Sequence, residues 1–183
     1  MFTGIIREVI KVKRIIKSGQ KMRICLPIEG ASLGDSIAVN GVCLTVDEIT
    51  REGVFFTIMG KTLAQTTLKF LRAGKYVNAE KALKLGDSVS GHFVYGHVCS
   101  IGSVLSIRKR PGEYEFWFSA PNSVIAKLRE KGSVAIDGVS LTVQDIRGNK
   151  FSAAIVGHTY KNTIFQYYRP GDKINIEYEL YSP

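Results

Sequence analysis

The chain has 183 residues and a mass of 20.2 kDa, with 45% hydrophobic and 22% charged residues, a composition that can bury a core and excludes a disordered tail. No apolar run approaches the roughly 18–20 residues of a membrane helix, and the opening MFTGIIREVI has neither the basic start nor the apolar stretch of a secretion signal. The net charge of +9 raises nucleic acid as a partner, but the basic runs, KVKR at 11–14 and RKR at 108–110, are short and bring no recognition module, so a solvated surface is expected.

In chain order, the first clear element is SIAVNGVCLTV at 36–46, two apolar runs split by Asn-Gly. That dipeptide accepts the positive φ of a type I′ turn and predicts a hairpin. VFFTIMG at 54–60 reads as a strand, and KTLAQTTLKFLRAG at 61–74 as a short helix closed by Gly74. YVNAEKA at 76–82 is extended. GHFVYGHV at 91–98 holds two of the three histidines, each directly after a glycine, which predicts a close backbone approach to a neighbouring strand or a ligand. NSVIAKLREKG at 122–132 carries Asn122 as a helix cap and Gly132 as a stop. SVAIDGVSLTV at 133–143 repeats the hairpin with Asp-Gly, and the strand FSAAIVG and the extended KINIEYE follow.

Sliding the chain against itself by 97 residues aligns 36–80 with 133–177, and 16 of the 45 pairs are identical without a gap. This is a duplication. Many short strands with turns at close spacing predict an all-β protein: two tandem, homologous small closed β-barrels with a few short helices. The expected domains are residues 1–90 and 91–183.

Strand geometry gives the repeated hairpin a chemical meaning. Val42, Leu44 and Val46 share one face and Cys43 and Thr45 the other; in the second copy Val139, Leu141 and Val143 oppose Ser140 and Thr142. The apolar trio belongs in a barrel, and the polar pair belongs near its mouth or outer surface. Ser140 lacks the second glycine and the strand-to-helix turn of a nucleophile elbow. His92 and His97, five residues apart, should point apart. With no CxxC or HExxH beside them, a metal site is not expected. Three cysteines (Cys25, Cys43, Cys99) cannot all pair, which argues against a disulfide framework and for the cytoplasm. Two similar sites in one chain predict two similar small ligands, with no nucleic acid and no membrane as partners.

The opening MFTG, NGVCLTV, SGHFVYGHV, KGSVAIDGVSLTV, and the closing VNAEKA and INIEYE together resemble the alpha-type riboflavin synthases over essentially the whole chain. The resemblance implies a cofactor-independent transferase. It moves a four-carbon unit between two molecules of 6,7-dimethyl-8-ribityllumazine, giving riboflavin and a ribitylamino-pyrimidinedione. One pocket would then use Gly4, Ile5, Ile6, Cys43, Leu44 and Thr45 with Thr57, Ile58, Met59, Gly60, Lys61 and Thr62. The other would use Gly96, His97, Val98, Lys131, Ser140, Leu141 and Thr142 with Val156, Gly157, His158, Thr159, Tyr160 and Lys161. Ser36, Cys43, His97 and Ser140 are the side chains expected nearest the chemistry. Where members often carry Glu-Thr, this chain has Lys61-Thr62 and His158-Thr159, and Thr57 stands where a carboxylate is sometimes found. The family resemblance implies a homotrimer held by an apolar C-terminal helix, whereas this sequence ends at YELYSP. The rival reading is a lumazine protein, which binds one lumazine or flavin as an antenna and catalyses nothing.

Overall fold

The computed structural model describes residues 1–178. The last residue of the predicted KINIEYE segment, and the ending on which the trimer expectation turns, lie outside them.

Seven strands form the first half: β1 (Glu8–Lys11), β2 (Arg14–Ser18), β3 (Lys21–Leu26), β4 (Ser36–Val39), β5 (Val42–Thr50), β6 (Gly53–Ile58) and β7 (Tyr76–Lys81). All neighbours are antiparallel, in the order β1-β7-β4-β5-β6-β3-β2. The second half holds β8 (Ser100–Arg110), β9 (Glu113–Ser119), β10 (Ser133–Ile136), β11 (Val139–Arg147), β12 (Lys150–Val156) and β13 (Lys173–Tyr178), closed as a barrel in the order β10-β11-β12-β9-β8-β13.

The duplication therefore extends to the sheets, with one difference at the seam. In the second half a single strand, β8, pairs with β13 at one end and β9 at the other, and a bulge between Val104 and Ser106 absorbs the turn. In the first half the chain breaks its ladder at that place. Val12 donates to the Lys75 carbonyl and Lys13 to the Cys25 carbonyl, so β1 serves β7 and β2 serves β3. The predicted tandem pair thus forms on one plan: the second half is a closed barrel, and the first repeats it with its ladder interrupted only at residues 12–13, between β1 and β2.

Both hairpins form as expected. Asn40 and Gly41 have φ of 46° and 74°, Asp137 and Gly138 of 45° and 80°, the left-handed pair that a type I′ turn requires. The two turns touch: a Cβ on Gly41 would stand 2.6 Å from the Gly138 nitrogen. Each half has its own core, containing Val42, Leu44 and Val46 in one and Val139, Leu141 and Val143 in the other, while Thr45 and Thr142 are exposed and Cys43 and Ser140 half-buried.

The helical segments are shorter than predicted. The stretch 61–74 yields α1 (Gly60–Gln65), then a 3₁₀ turn at Thr67–Phe70, and Gly74 sits in the turn before β7. α2 (Asn122–Ile125) starts at Asn122, so Pro121 takes the cap position and no side chain caps it. α3 (Gly157–Lys161) and a second 3₁₀ turn (Ile164–Tyr167) repeat the first-half pattern.

Candidate functional site

The segments before β1 and β8 cross over. Residues 2–4 and 92–94 run antiparallel: Phe2 and Val94 exchange both backbone hydrogen bonds, and His92 donates from its backbone to the Thr3 carbonyl. From that crossing each tether reaches the opposite half. The Gly4 carbonyl accepts from the Ser140 backbone N–H at 2.8 Å, and the Gly96 carbonyl accepts from the Cys43 N–H at 3.0 Å. Ile6 packs on the core of the second half and Val98 on that of the first.

Only glycine fits at the contact. A Cβ on Gly4 or on Gly96 would lie 2.6 Å from the Cβ of Ser140 or of Cys43, and both glycines have positive φ. The glycine before each histidine does mark a close approach, as expected: Gly91 faces Thr3 and Ser140, and Gly96 faces Cys43.

This crossing corrects the grouping expected from sequence. Gly4, Ile5 and Ile6 lie with Ser140, not with Cys43; Gly96, His97 and Val98 lie with Cys43, not with Ser140. The reason is the exchange of tethers, which side-chain alternation along one strand cannot reveal. The histidine beside Ser140 is His92, whose Nδ1 lies 2.7 Å from the serine Oγ.

A cavity of about 420 Å³ opens beside Ser140, its lining including Ile5, Gly91, Ser133, Leu141 and Thr142 together with Val156 and Thr159. Its size suits a small bicyclic ligand. Ser133 is the counterpart of Ser36, and each stands opposite the hairpin threonine, Thr142 or Thr45. On the far wall α3 follows β12. Its Tyr160 stacks on Tyr114 with ring centroids 3.7 Å apart, His158 and Lys161 are exposed, and the Thr163 hydroxyl donates to the Thr159 carbonyl. In the first half Thr57 and Ile58 end β6, Met59 is exposed, and α1 presents Lys61 and Thr62, the Thr66 hydroxyl donating to the Thr62 carbonyl. Lys131 is exposed, has φ of 66°, donates its backbone N–H to the Val143 carbonyl and does not line the cavity.

Two glutamates that side-chain alternation does not single out are buried at the tethers, Glu80 and Glu177. Glu80 accepts from the Thr3 N–H and hydroxyl and from the Gly4 N–H; Glu177 accepts from the N–H groups of Tyr95, Gly96 and His97. Burial raises both carboxyls above the usual range, and the donated N–H bonds work against that rise. Their signal was present, since Glu80 and Glu177 are an identical pair of the repeat. Among the described residues no group of three or more His, Cys, Asp or Glu is placed to hold a metal ion.

Paired barrels of one plan, each with a polar hairpin under a glycine tether, define a two-repeat small-molecule-binding protein. The family model of the lumazine binding domain matches twice, at residues 3–82 and 95–179. The riboflavin synthase of Chlamydia muridarum is 39% identical over 98% of this chain and 90% of its own length. Those of Photobacterium phosphoreum and Bacillus subtilis are 36% and 35% identical, over 85% and 86% of their lengths. A crystal structure of LumP complexed with riboflavin shares the fold at a TM-score of 0.91 and 23% identity, over 98% of this chain and all of that one. The chain belongs to the riboflavin synthase family.

Proposed function

We propose that this chain makes riboflavin from two molecules of 6,7-dimethyl-8-ribityllumazine, one giving up a four-carbon unit and leaving as 5-amino-6-ribitylamino-pyrimidinedione. The observation that carries this reading is the duplicated site. Donor and acceptor are the same compound, and the chain offers two hairpins held in the same way by a glycine tether, one carrying Cys43 and the other Ser140. No metal or redox cofactor enters the scheme, because the 7-methyl group of the lumazine is itself acidic and the acceptor ring electrophilic. Orienting two rings and moving protons supplies the catalysis.

In this reading the first pocket uses Cys43, Leu44, Thr45 and the segment 57–62 under Gly96, His97 and Val98. The second uses Ser140, Leu141, Thr142 and the segment 156–161 under Gly4, Ile5 and Ile6. Hydroxyls meet the ribityl chain, and exposed backbone groups read the pyrimidine edge. Ser36, Cys43, His97 and Ser140 stand nearest the chemistry, joined by His92, which the 2.7 Å contact makes the proton partner of Ser140. The proposed assembly is a homotrimer in the cytoplasm, with donor and acceptor pockets supplied by neighbouring subunits; sedimentation of the purified protein tests the trimer.

Incubation with 6,7-dimethyl-8-ribityllumazine alone is expected to yield one riboflavin per two lumazines consumed, followed by absorbance. Tight binding with shifted emission and no riboflavin would replace the synthase with an antenna-type carrier. Ser140→Ala and His92→Gln should each lower turnover by about 10²-fold or more. The double variant should be little worse than either single, because the two act as a unit. Additive losses would separate the pair.

A further inference from the structure

The buried glutamates sit where their chemistry is costly. A carboxylate in a protein interior needs donors aimed at it, and a well-packed apolar side chain of similar size would serve stability as well. Here the donors are backbone N–H groups of consecutive residues, 3 and 4 for Glu80 and 95–97 for Glu177, converging around a glycine in the left-handed region. Successive N–H groups in that conformation form an anion-holding concavity. The side chain of residue 80 or 177 is the built-in anion.

The consequence lies one bond further on. Each carboxylate holds, by its N–H, the glycine whose carbonyl receives the hairpin of the other half. Glu80 holds Gly4, which receives Ser140; Glu177 holds Gly96, which receives Cys43. Glu80 stands on β7 and Glu177 on β13, two residues beyond Asn78 and Asn175 and so on the same strand face. Those asparagines also reach across, Asn78 to the Asp137 carbonyl and Asn175 to the Asn40 carbonyl.

We infer that Glu80 and Glu177 are reciprocal positioning residues, each fixing from its own half the tether that roofs the pocket of the other half. Neither touches the ligand. Glu177 sets His97 and Gly96 over the first pocket, and Glu80 sets Gly4 and Ile5 over the second. The inference rests on the two pockets proposed above, and it makes each of them a joint product of both halves.

The test is binding of riboflavin, titrated by fluorescence, with occupancy of each pocket read from crystals of each variant grown with riboflavin. Glu177→Gln keeps the shape but turns an amide N–H₂ towards backbone donors. It is expected to weaken the ligand at the Cys43 pocket about ten- to a hundredfold and to leave the Ser140 pocket within about twofold. Glu80→Gln gives the mirror pattern. Equal weakening of both pockets in either variant would reduce the glutamates to a stability role. Weakening confined to the variant's own half, or no change, would overturn the crossed assignment. Should a Gln variant fail to fold, Glu177→Asp and Glu80→Asp keep the charge and withdraw it by one methylene; they should give the same crossed pattern in milder form, and an uncrossed one would be equally fatal. Because the readout is binding, a wild-type protein that binds riboflavin but makes none would sink the synthase reading while still deciding this one.

Discussion

Asn175→Ala is expected to lower the free energy of unfolding by about 2–5 kcal/mol, and Asn78→Ala by a similar amount, measured by urea denaturation. Each amide is buried and makes one donated and one accepted bond across the halves. Asn175 donates to the Asn40 carbonyl at 2.8 Å and accepts from the Thr67 N–H at 2.7 Å; Asn78 donates to the Asp137 carbonyl and accepts from the Ile164 N–H, both at 2.9 Å. Truncation strands two buried backbone groups at a time, and an unsatisfied buried group costs about 1–3 kcal/mol. Together these four bonds form a clasp between the halves, and the double variant should lose about the sum of the two single losses, since the exchanged tethers still join the two cores. Losses below about 0.5 kcal/mol in both single variants, the range of an ordinary surface change, would mean that water or relaxation serves these groups as well.

The clasp also explains why the duplicated turns are so alike. Gly41 and Gly138 meet backbone to backbone, and the asparagines hold the carbonyls of the residues just before them. The same contact sets the separation of β5 and β11, the strands that carry Cys43 and Ser140.

What could be read from sequence was what is local. Positive φ at Asn-Gly and Asp-Gly, and the alternation of Val42, Leu44 and Val46 against Cys43 and Thr45, depend on neighbours within a few residues, and both formed as predicted. The doubled glycine-histidine step was legible as a close approach, but its partners were not. Gly4 meets a residue far along the chain, and no periodicity encodes which half a tether will cover. Sequence alone therefore groups His97 with Ser140 and gives His92 no role. The helix at 122–132 was over-read for a related reason: Asn122 looks like a cap, yet Pro121 precedes it and takes that position. The seam at residues 12–13 is a tertiary choice between one bulged strand and two straight ones, and KVKR carries no trace of it.

Asp137→Asn is expected to stabilise the protein at pH 8 and to flatten its pH dependence. Asp137 is 1% exposed, and burial pushes its carboxyl from 3.8 up to about 7, against the Tyr168 hydroxyl and the Asn175 N–H, which both donate to it. A raised carboxyl means that the folded state holds a proton the unfolded chain has already released. Stability from this group is therefore complete below about pH 4 and is lost as pH rises through about 7, the reverse of a salt-bridged aspartate. The span corresponds to a change on the order of 3–4 kcal/mol between pH 4 and pH 8. The other half of the chain already carries the neutral solution. Asn40 occupies the same turn position and accepts from the Asn78 N–H at 2.8 Å, as Asp137 accepts from the Asn175 N–H at 3.1 Å, and Leu71 stands where Tyr168 does. An amide at 137 would keep the accepted bond and donate to the tyrosine oxygen instead of receiving from it. Glu80 and Glu177, also raised by burial, contribute a slope of the same sign and would leave a residue of it in the variant. Urea midpoints of both proteins between pH 4 and pH 9 settle the matter. An unchanged slope would place the titration in the glutamates, and a less stable variant at pH 8 would mean that the ionised Asp137–Tyr168 contact holds the turn more firmly than its burial opposes it.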